Sequence, residues 1–485
     1  MSQPIMRLFA TIVLLFAILV VWTSRWSVFE AEALRDNALN KRPLLAQLHV
    51  KRGAIKAGDG SLLARSVRGP GGTYRRAYPT GSLFAHPVGH AVIALNQLSG
   101  IERYRNDELA GDAVGQGDEI GSLADQLQGK RQQGDTVVTT LDPEAQRIAT
   151  EQLAATGSPG AVVALDPRTG AVLAMASTPG YDPNQLGEPG VFRRLNGAGS
   201  GAPLLDRATQ SSYAPGSTFK VLTAAAAIDS GKYTPDSVID GSSPKVISGV
   251  PMRNDLGESY GPITLTQAMT NSVNTVFGQI GEALGKRTMG DYMRRFGFYA
   301  KPPLDYPADE MVASGERLNG RLLPVTSDQV DVGRMAIGQD KLAVTPLQMA
   351  MVVAAIANGG RLMRPHLADR VVDPDGRIVD RVEPEVAATP ISAATAQQVN
   401  AMMRTVVESG TGTAVQLPGI EVAGKTGTAE IGTVGANLTQ PSFVAFAPAD
   451  DPRIAIAVTV ERSQGGFGGT VAAPIARAVL ESLLN

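Results

Sequence analysis

The chain has 485 residues, 43% hydrophobic and 19% charged, with a formal net charge of −2. That length exceeds one ordinary core and implies two or more domains, while the near-neutral charge gives no electrostatic basis for binding nucleic acid. With no cysteine in the chain, a cysteine nucleophile, an iron–sulfur cluster, cysteine-ligated zinc and disulfides are all excluded.

The first element is the apolar run Leu8–Trp22, "LFATIVLLFAILVVW". With its flanks it approaches the ~20 residues that cross a bilayer. We expect a short cytoplasmic tail (1–7) and a single transmembrane anchor (8–28), with Trp22 and Trp26 at the interface. "WTSRWSVFE" is a poor cleavage site, so a retained anchor is favoured over a removed signal peptide. The long segment after it is expected on the outer side.

Residues 29–140 read as a small N-terminal domain, in which "VKRGAIKAGDGSLLARSV" forms two short strands around Gly58-Asp59-Gly60. "VVTTLDPEAQRIATEQLAA" reads as a strand, then a helix with Asp142 as N-cap and Pro143 at its first position. The second domain, 141–485, is expected to start there. "GAVVALDPRTGAVLAMAS" is a hairpin. From 217 to about 300 helical patterns dominate: "STFKVLTAAAAIDSG", "TLTQAMTN" with a Thr264–Gln267 capping box, then "TVFGQIGEALG" and "TMGDYMRRFG", each closing on glycine. "TPLQMAMVVAAIANGG" is a helix capped by Thr345. Beyond 420, "IEVAGKT", "SFVAFAP" and "RIAIAVTVE" are strand-like and "TVAAPIARAVLESLL" is a last helix. Strands early and late, with helices between, give an α+β fold. One antiparallel sheet built from both ends of the domain is flanked by helices and joined by an all-helical subdomain.

"GIEVAGKTGTAE" (419–430) admits two chemistries. Gly419, Gly424, Lys425 and Thr426 fit the phosphate-cradling G-x-x-x-x-G-K-[ST] pattern. Yet Ile420 to Ala423 alternate like a strand, Glu421 would repel phosphate, and glycines follow where a helix should start. ATP is also scarce outside a bacterial cytoplasmic membrane. The other reading is Lys425-Thr426-Gly427 as the last of three motifs for acylating a serine. Ser217-Thr218-Phe219-Lys220 opens a helix, so Lys220 is on the face that reaches Ser217, and the helix N-terminus favours an oxyanion. Ser272-Val273-Asn274 falls between two helices. On the Lys425 strand, Gly427 lets a substrate backbone lie close, and Thr426 offers a hydroxyl to a carboxylate. Of the four histidines only His366 lies beyond the first fifth of the chain. Its turn-like "LMRPHLAD" setting reads as exposed or capping, which leaves lysine as the more available base.

Three motifs in this order, on helix start, inter-helix loop and strand, resemble the penicillin-recognising serine transferases and hydrolases. "YAPGSTFK", "AIGQDKLAVTPLQMA" and "VAGKTGTAE" look like class B penicillin-binding proteins, and "RGAIKAGDGSLLARS" resembles the opening of their pedestal domain. The short length, the small pedestal and the lack of a C-terminal appendage look most like the actinobacterial penicillin-binding protein A type. The resemblance implies a peptidoglycan D,D-transpeptidase. Ser217 would attack a D-Ala-D-Ala stem peptide and Lys220, neutral through burial and the nearby Lys425, would take its proton. Ser272 would relay a proton to the leaving amine, and Asn274 would hold the donor amide. Thr426 and Thr428 would bind the terminal carboxylate, beside Gly427, and the backbone N–H groups of Ser217 and Thr428 would form the oxyanion hole. β-Lactams would acylate Ser217. No metal or cofactor is required. The implied partners are the inner membrane and a glycosyltransferase or the elongation or division machinery.

A D,D-carboxypeptidase or a β-lactam sensor would share the fold. A β-lactamase would need a deacylating base, and "GERLNG" with Glu316 is one residue short of the E-x-x-L-N pattern, while Val273 replaces the aspartate of S-D-N. Glu430 reads as a solvated strand-end residue, and Gln339 is open between structural and contact roles.

Overall fold

A computed structural model describes residues 3–26, 47–111, 133–431 and 437–485. Residues 27–28 of the expected anchor, and 29–46 and 112–132 of the expected N-terminal domain, lie outside these.

Helix α1 (Gln3–Ser24) has a mean hydropathy of 2.6 over an 18-residue stretch and buries none of its residues against the protein. It is long and apolar enough to cross a membrane. Thr11 and Thr23 return their hydroxyl protons to the carbonyls of Arg7 and Leu19, so these two hydroxyls meet lipid already paired. The helix takes in most of the expected 1–7 tail, because Pro4 fits a helix's first turn without breaking it.

The chain then forms β1 (Ile55–Lys56), β2 (Leu62–Arg68), β3 (Tyr74–Ala77) and β4 (Thr136–Thr139), followed by α2 (Pro143–Ala155). Asp142 caps α2 by accepting from Ala145 N at 2.8 Å. The hairpin β5 (Gly160–Leu165) and β6 (Val172–Thr178) comes next. Helices α3 (Lys220–Asp229), α4 (Leu265–Thr270), α5 (Asn274–Arg295) and α6 (Pro346–Ala357) follow. The Thr264–Gln267 capping box opens α4, and Gly285 interrupts α5 at φ +77°. After β7 (Ala368–Val372), β8 (Ile378–Arg381) and α7 (Ala393–Glu408) come β9 (Ala423–Glu430), β10 (Leu438–Ala447), β11 (Ile454–Val460) and α8 (Ala473–Leu484).

The main sheet runs β9-β10-β11-β5-β6, antiparallel throughout. Both faces are covered, so the central strands β5 and β11 are almost wholly apolar, while the edge strand β9 and the start of β10 carry the polar residues. Ala161, Val163, Val444, Phe446, Ala455 and Ala457 point into one core with residues of α3, α5, α6 and α7. Their neighbours Val162, Ala164, Phe443, Ala445, Ile456 and Val458 point into a second core with α2 and α8. This is the expected α+β domain: helices, sheet, helices.

The second sheet runs β8-β7-β4-β1-β2-β3. Two of its strands come from deep inside the 141–485 segment, so the chain-order cut at 140 does not divide the sheets. The 238–264 stretch, within a region that reads as helical, instead carries two small hairpins. Val238–Asp240 pairs with Pro262–Thr264, and Lys245–Ile247 with Val250–Met252. Strands of three residues are too short to show a period in sequence.

Candidate active site

Alternation along β9 turns Lys425 and Gly427 to the same side as Ala423, which lies in the core shared with the helices α3 and α5. β9 is also the sheet's edge, so that side lies against the approach to α3. Ser217 sits there in a single 3-10 turn, Gly216–Phe219, that leads into α3.

Two glycines allow the close approach. A Cβ on Gly427 would fall 2.3 Å from Ser442 Oγ, 2.7 Å from Pro215 O and 2.8 Å from Thr218 Cγ2. The missing side chain is therefore demanded by the protein's own 215–218 segment. The fit of β9 against the protein's own chain thus requires glycine at 427 before any substrate is considered. Gly338 stands at φ +80°, and a Cβ there would fall 1.9 Å from Gly216 O. Gly216 N donates to Gly338 O at 3.0 Å, so "AIGQDKLAVTPLQMA" does pack beside the nucleophile turn. Gln339 is half-buried and its N–H goes to Arg334 O, a structural contact.

Lys220 and Lys425 are both fully buried. Lys220 Nζ donates to Ser272 O and Asn274 Oδ1, each at 2.6 Å, and lies 3.2 Å from Ser272 Oγ. Lys425 Nζ reaches the same Ser272 Oγ at 2.8 Å and Thr426 O at 3.1 Å. Ser272 is held at φ +58°, a left-handed conformation that costs a non-glycine residue about 1–3 kcal/mol. It turns both carbonyl and hydroxyl toward Lys220. Burial pulls the Lys220 amine down to about 7. Burial, and then the neighbouring Lys220 cation, hold Lys425 well below the usual lysine range. Two cations on one hydroxyl cannot both persist in such a site, so the pair titrates together and sheds a proton near neutrality.

The structure thus brings Lys220, Ser272, Asn274 and Lys425 into one bonded cluster. Ser217 is different. It is half-buried, and none of the described residues hydrogen-bonds its hydroxyl. The expected Lys220–Ser217 contact is replaced by Lys220 bonds to Ser272 and Asn274, because a buried amine takes the strongest acceptors in reach. Thr426 Oγ1 shares a 2.6 Å hydrogen bond with Thr411 Oγ1, and Thr428 Oγ1 accepts from Gly468 N at 3.1 Å. The Thr428 backbone lies against Gly216, beside Ser217.

Sequence reading missed Thr411, Gly468 and Asp255, whose carboxylate accepts from Asn274 Nδ2 at 3.1 Å. No local pattern marks them, since each meets the site through chain reversals. His366 is buried, contrary to its exposed or capping reading, and its backbone pairs with Gly170 and Val172. Glu316 is buried on the strand Gly315–Leu318, beside Asp340 and Lys341, and burial pushes it up to about 8. It makes no bond to the lysine cluster. Glu430 is exposed. Residues 423–430 are strand where a phosphate loop would be needed.

Two buried lysines meeting on one serine hydroxyl, with a second serine at a helix start whose hydroxyl none of the described residues engages, define the class of penicillin-recognising serine acyltransferases. Residues 160–481 match the model of the penicillin-binding protein transpeptidase domain, and residues 52–137 that of the penicillin-binding protein A dimerisation domain. The chain belongs to the penicillin-binding protein transpeptidase family. It is 35% identical to the peptidoglycan D,D-transpeptidase PbpA of Mycolicibacterium smegmatis, covering 100% of this chain and 99% of that one. Stage V sporulation protein D of Bacillus subtilis is 32% identical over 84% of this chain and 64% of its own. The ceftriaxone acyl-enzyme of penicillin-binding protein A from Mycobacterium tuberculosis superposes with a TM-score of 0.82 at 32% identity, covering 91% of this chain and 100% of that one. The resemblance to class B penicillin-binding proteins of the A type holds.

Proposed function

We propose that the chain is a peptidoglycan D,D-transpeptidase in which Ser217 is the nucleophile. The observation that carries this is the convergence of Lys220 and Lys425 on Ser272, beside a Ser217 hydroxyl that has no partner among the described residues. Ser217 Oγ attacks the carbonyl carbon of the penultimate D-Ala, and its proton passes to neutral Lys220 Nζ. The backbone N–H groups of Ser217 and Thr428 hold the oxyanion. The peptide C–N bond breaks as the terminal D-Ala amine receives a proton relayed through Ser272 from the lysine pair. The amine of a second stem peptide then attacks the ester, forms the crosslink, and returns the proton to Ser217. Thr426 and Thr428 hydroxyls bind the terminal carboxylate, with Gly427 keeping the strand against residues 215–218. Asn274 Oδ1 uses one lone pair on Lys220 and keeps the other for a donor-peptide N–H. A β-lactam follows the same first step and stays as an ester.

Residues 29–140 form the pedestal and 141–485 the transpeptidase domain, with β7 and β8 returning to the pedestal sheet. Because peptidoglycan lies outside the cytoplasmic membrane, α1 anchors the chain with its catalytic part extracytoplasmic. Crosslinking needs nascent glycan strands, so a glycosyltransferase of the elongation or division machinery is the partner that fits.

The test is incubation of the full-length protein in detergent with a pentapeptide substrate and a labelled D-amino acid. We expect D-Ala release matched by incorporation of the label, and a fluorescent-penicillin adduct that persists for hours. D-Ala release without incorporation would mean a carboxypeptidase, and an adduct clearing in seconds a lactamase.

The lysine pair also sets a pH dependence. The penicillin acylation rate should rise with pH through about 7, as Lys220 loses its proton. Stability should rise over the same direction, since the unfolded chain binds more protons than the folded one between about 7 and about 10.4. Stopped-flow acylation from pH 5 to 9 would show it; a rate that falls with rising pH would contradict a neutral lysine base.

A further inference from the structure

Both ends of the Asn274 amide are engaged. Oδ1 accepts from Lys220 Nζ at 2.6 Å, while Nδ2 donates to Arg253 O and to Asp255 Oδ1, each at 3.1 Å. A flipped amide would set its oxygen against two acceptors and its NH₂ against a lysine, so the chemistry fixes this orientation. The turn that presents Asp255 is held from behind. Asn254 is buried; its Nδ2 donates to Gly241 O and Glu258 O, and its Oδ1 accepts from Thr275 N at 2.9 Å, at the start of α5 next to Asn274. The turn is strained as well as braced. Leu256 sits at φ +55° and is 92% exposed, with Gly257 following at φ +75°. A leucine gains nothing from packing there, so the turn's shape is imposed by the bonds of Asn254 and Asp255.

We propose that Asp255 is a positioning residue for the Ser217 reaction: it locks the Asn274 amide so that Oδ1 faces Lys220, and it sets a negative charge opposite the lysine pair across that amide. This rests on Ser217 as the nucleophile. The charged or titratable groups described around the turn include Arg253, Glu258 and Tyr260 from its own segment, Arg334, which donates to Pro251 O and pairs with Asp331, and Lys220 and Lys425 from α3 and β9. Asp255 itself raises both lysines toward protonation, opposing the effect of their burial. The acid limb of acylation is therefore set partly by an exposed carboxylate, where salt can screen it.

The test is the pH profile of fluorescent-penicillin acylation for the full-length wild-type protein, Asp255→Asn, Asp255→Glu and Asp255→Ala, with Ser217→Ala as control. Asp255→Asn keeps an acceptor for Asn274 but removes the charge. Its acid-limb midpoint should move to lower pH by roughly half a unit, and the difference should shrink in high salt. Asp255→Glu should restore the wild-type midpoint. Asp255→Ala should also lower the plateau rate, by roughly tenfold, as Asn274 loses its clamp. Coincident midpoints for wild type and Asp255→Asn would overturn the electrostatic role, and an unchanged Asp255→Ala plateau the positioning role. Labelling of Ser217→Ala at the wild-type rate would remove the nucleophile assignment and this proposal with it, an outcome distinct from either. Asp255 is exposed and Asn is isosteric with it, so Asp255→Asn keeps the fold, and a near-UV spectrum matching wild type is the check.

Discussion

Ser217→Ala should abolish covalent penicillin labelling and leave the protein as stable as before. Both halves follow from the same observation. The Ser217 hydroxyl has no hydrogen-bond partner among the described residues, so removing it strands no donor or acceptor. The residue lies in a 3-10 turn without a side-chain cap, so no helix end is lost either. We expect a change in stability within about 0.5 kcal/mol. Acylation has no substitute nucleophile of the same geometry: Ser272 Oγ is committed to two lysines. Gel fluorescence after labelling, with a thermal melt alongside, checks both. Retained labelling would move the nucleophile elsewhere; lost labelling with a large drop in melting temperature would show that Ser217 has a structural duty.

Lys220→Met should cut the acylation rate by roughly 10³-fold, the scale of a general base. The stability effect has two opposing parts. The buried amine disappears, which removes its desolvation cost. Ser272 O and Asn274 Oδ1 then lose their donor, at about 1–3 kcal/mol for each group left unsatisfied. We expect a net loss of stability and therefore measure acylation well below the variant's melting temperature. The residual rate should also lose its rise through neutral pH, since the titrating base is gone. A pH-dependent rate that survives in Lys220→Met would assign the base to Lys425.

Much of this was legible in the sequence where the cause is local. Asp142, Thr264 and Thr345 cap their helices as residue type and spacing predict, because a cap needs only its own first turn. A single antiparallel sheet built from both ends of the domain followed from strands early and late in it. Where partners are distant the sequence was silent. The hairpins of 238–264 and the strands β7 and β8 are too short for a period, and their pairing is settled by what lies beside them in space. The site shows the same limit. Helical spacing put Lys220 on the Ser217 face, but burial decided that its protons go to Ser272 and Asn274. Gly427 read as letting a substrate backbone lie close, and no sequence pattern showed that Pro215, Thr218 and Ser442 would crowd a side chain there. His366 looked exposed beside a proline, and tertiary packing buried it.

The return of β7 and β8 to the pedestal sheet has a consequence for biosynthesis. Strand β4 pairs on one side with β1, whose residues are made shortly before it, and on the other with Ala368–Val372. At about 5–20 residues per second the ribosome needs some tens of seconds to supply that second neighbour. Throughout that interval β4 carries a row of unpaired backbone groups, the kind of edge that recruits foreign strands. The pedestal therefore cannot be finished before the helical part of the catalytic domain has been synthesised, and the two regions mature as one event rather than in chain order.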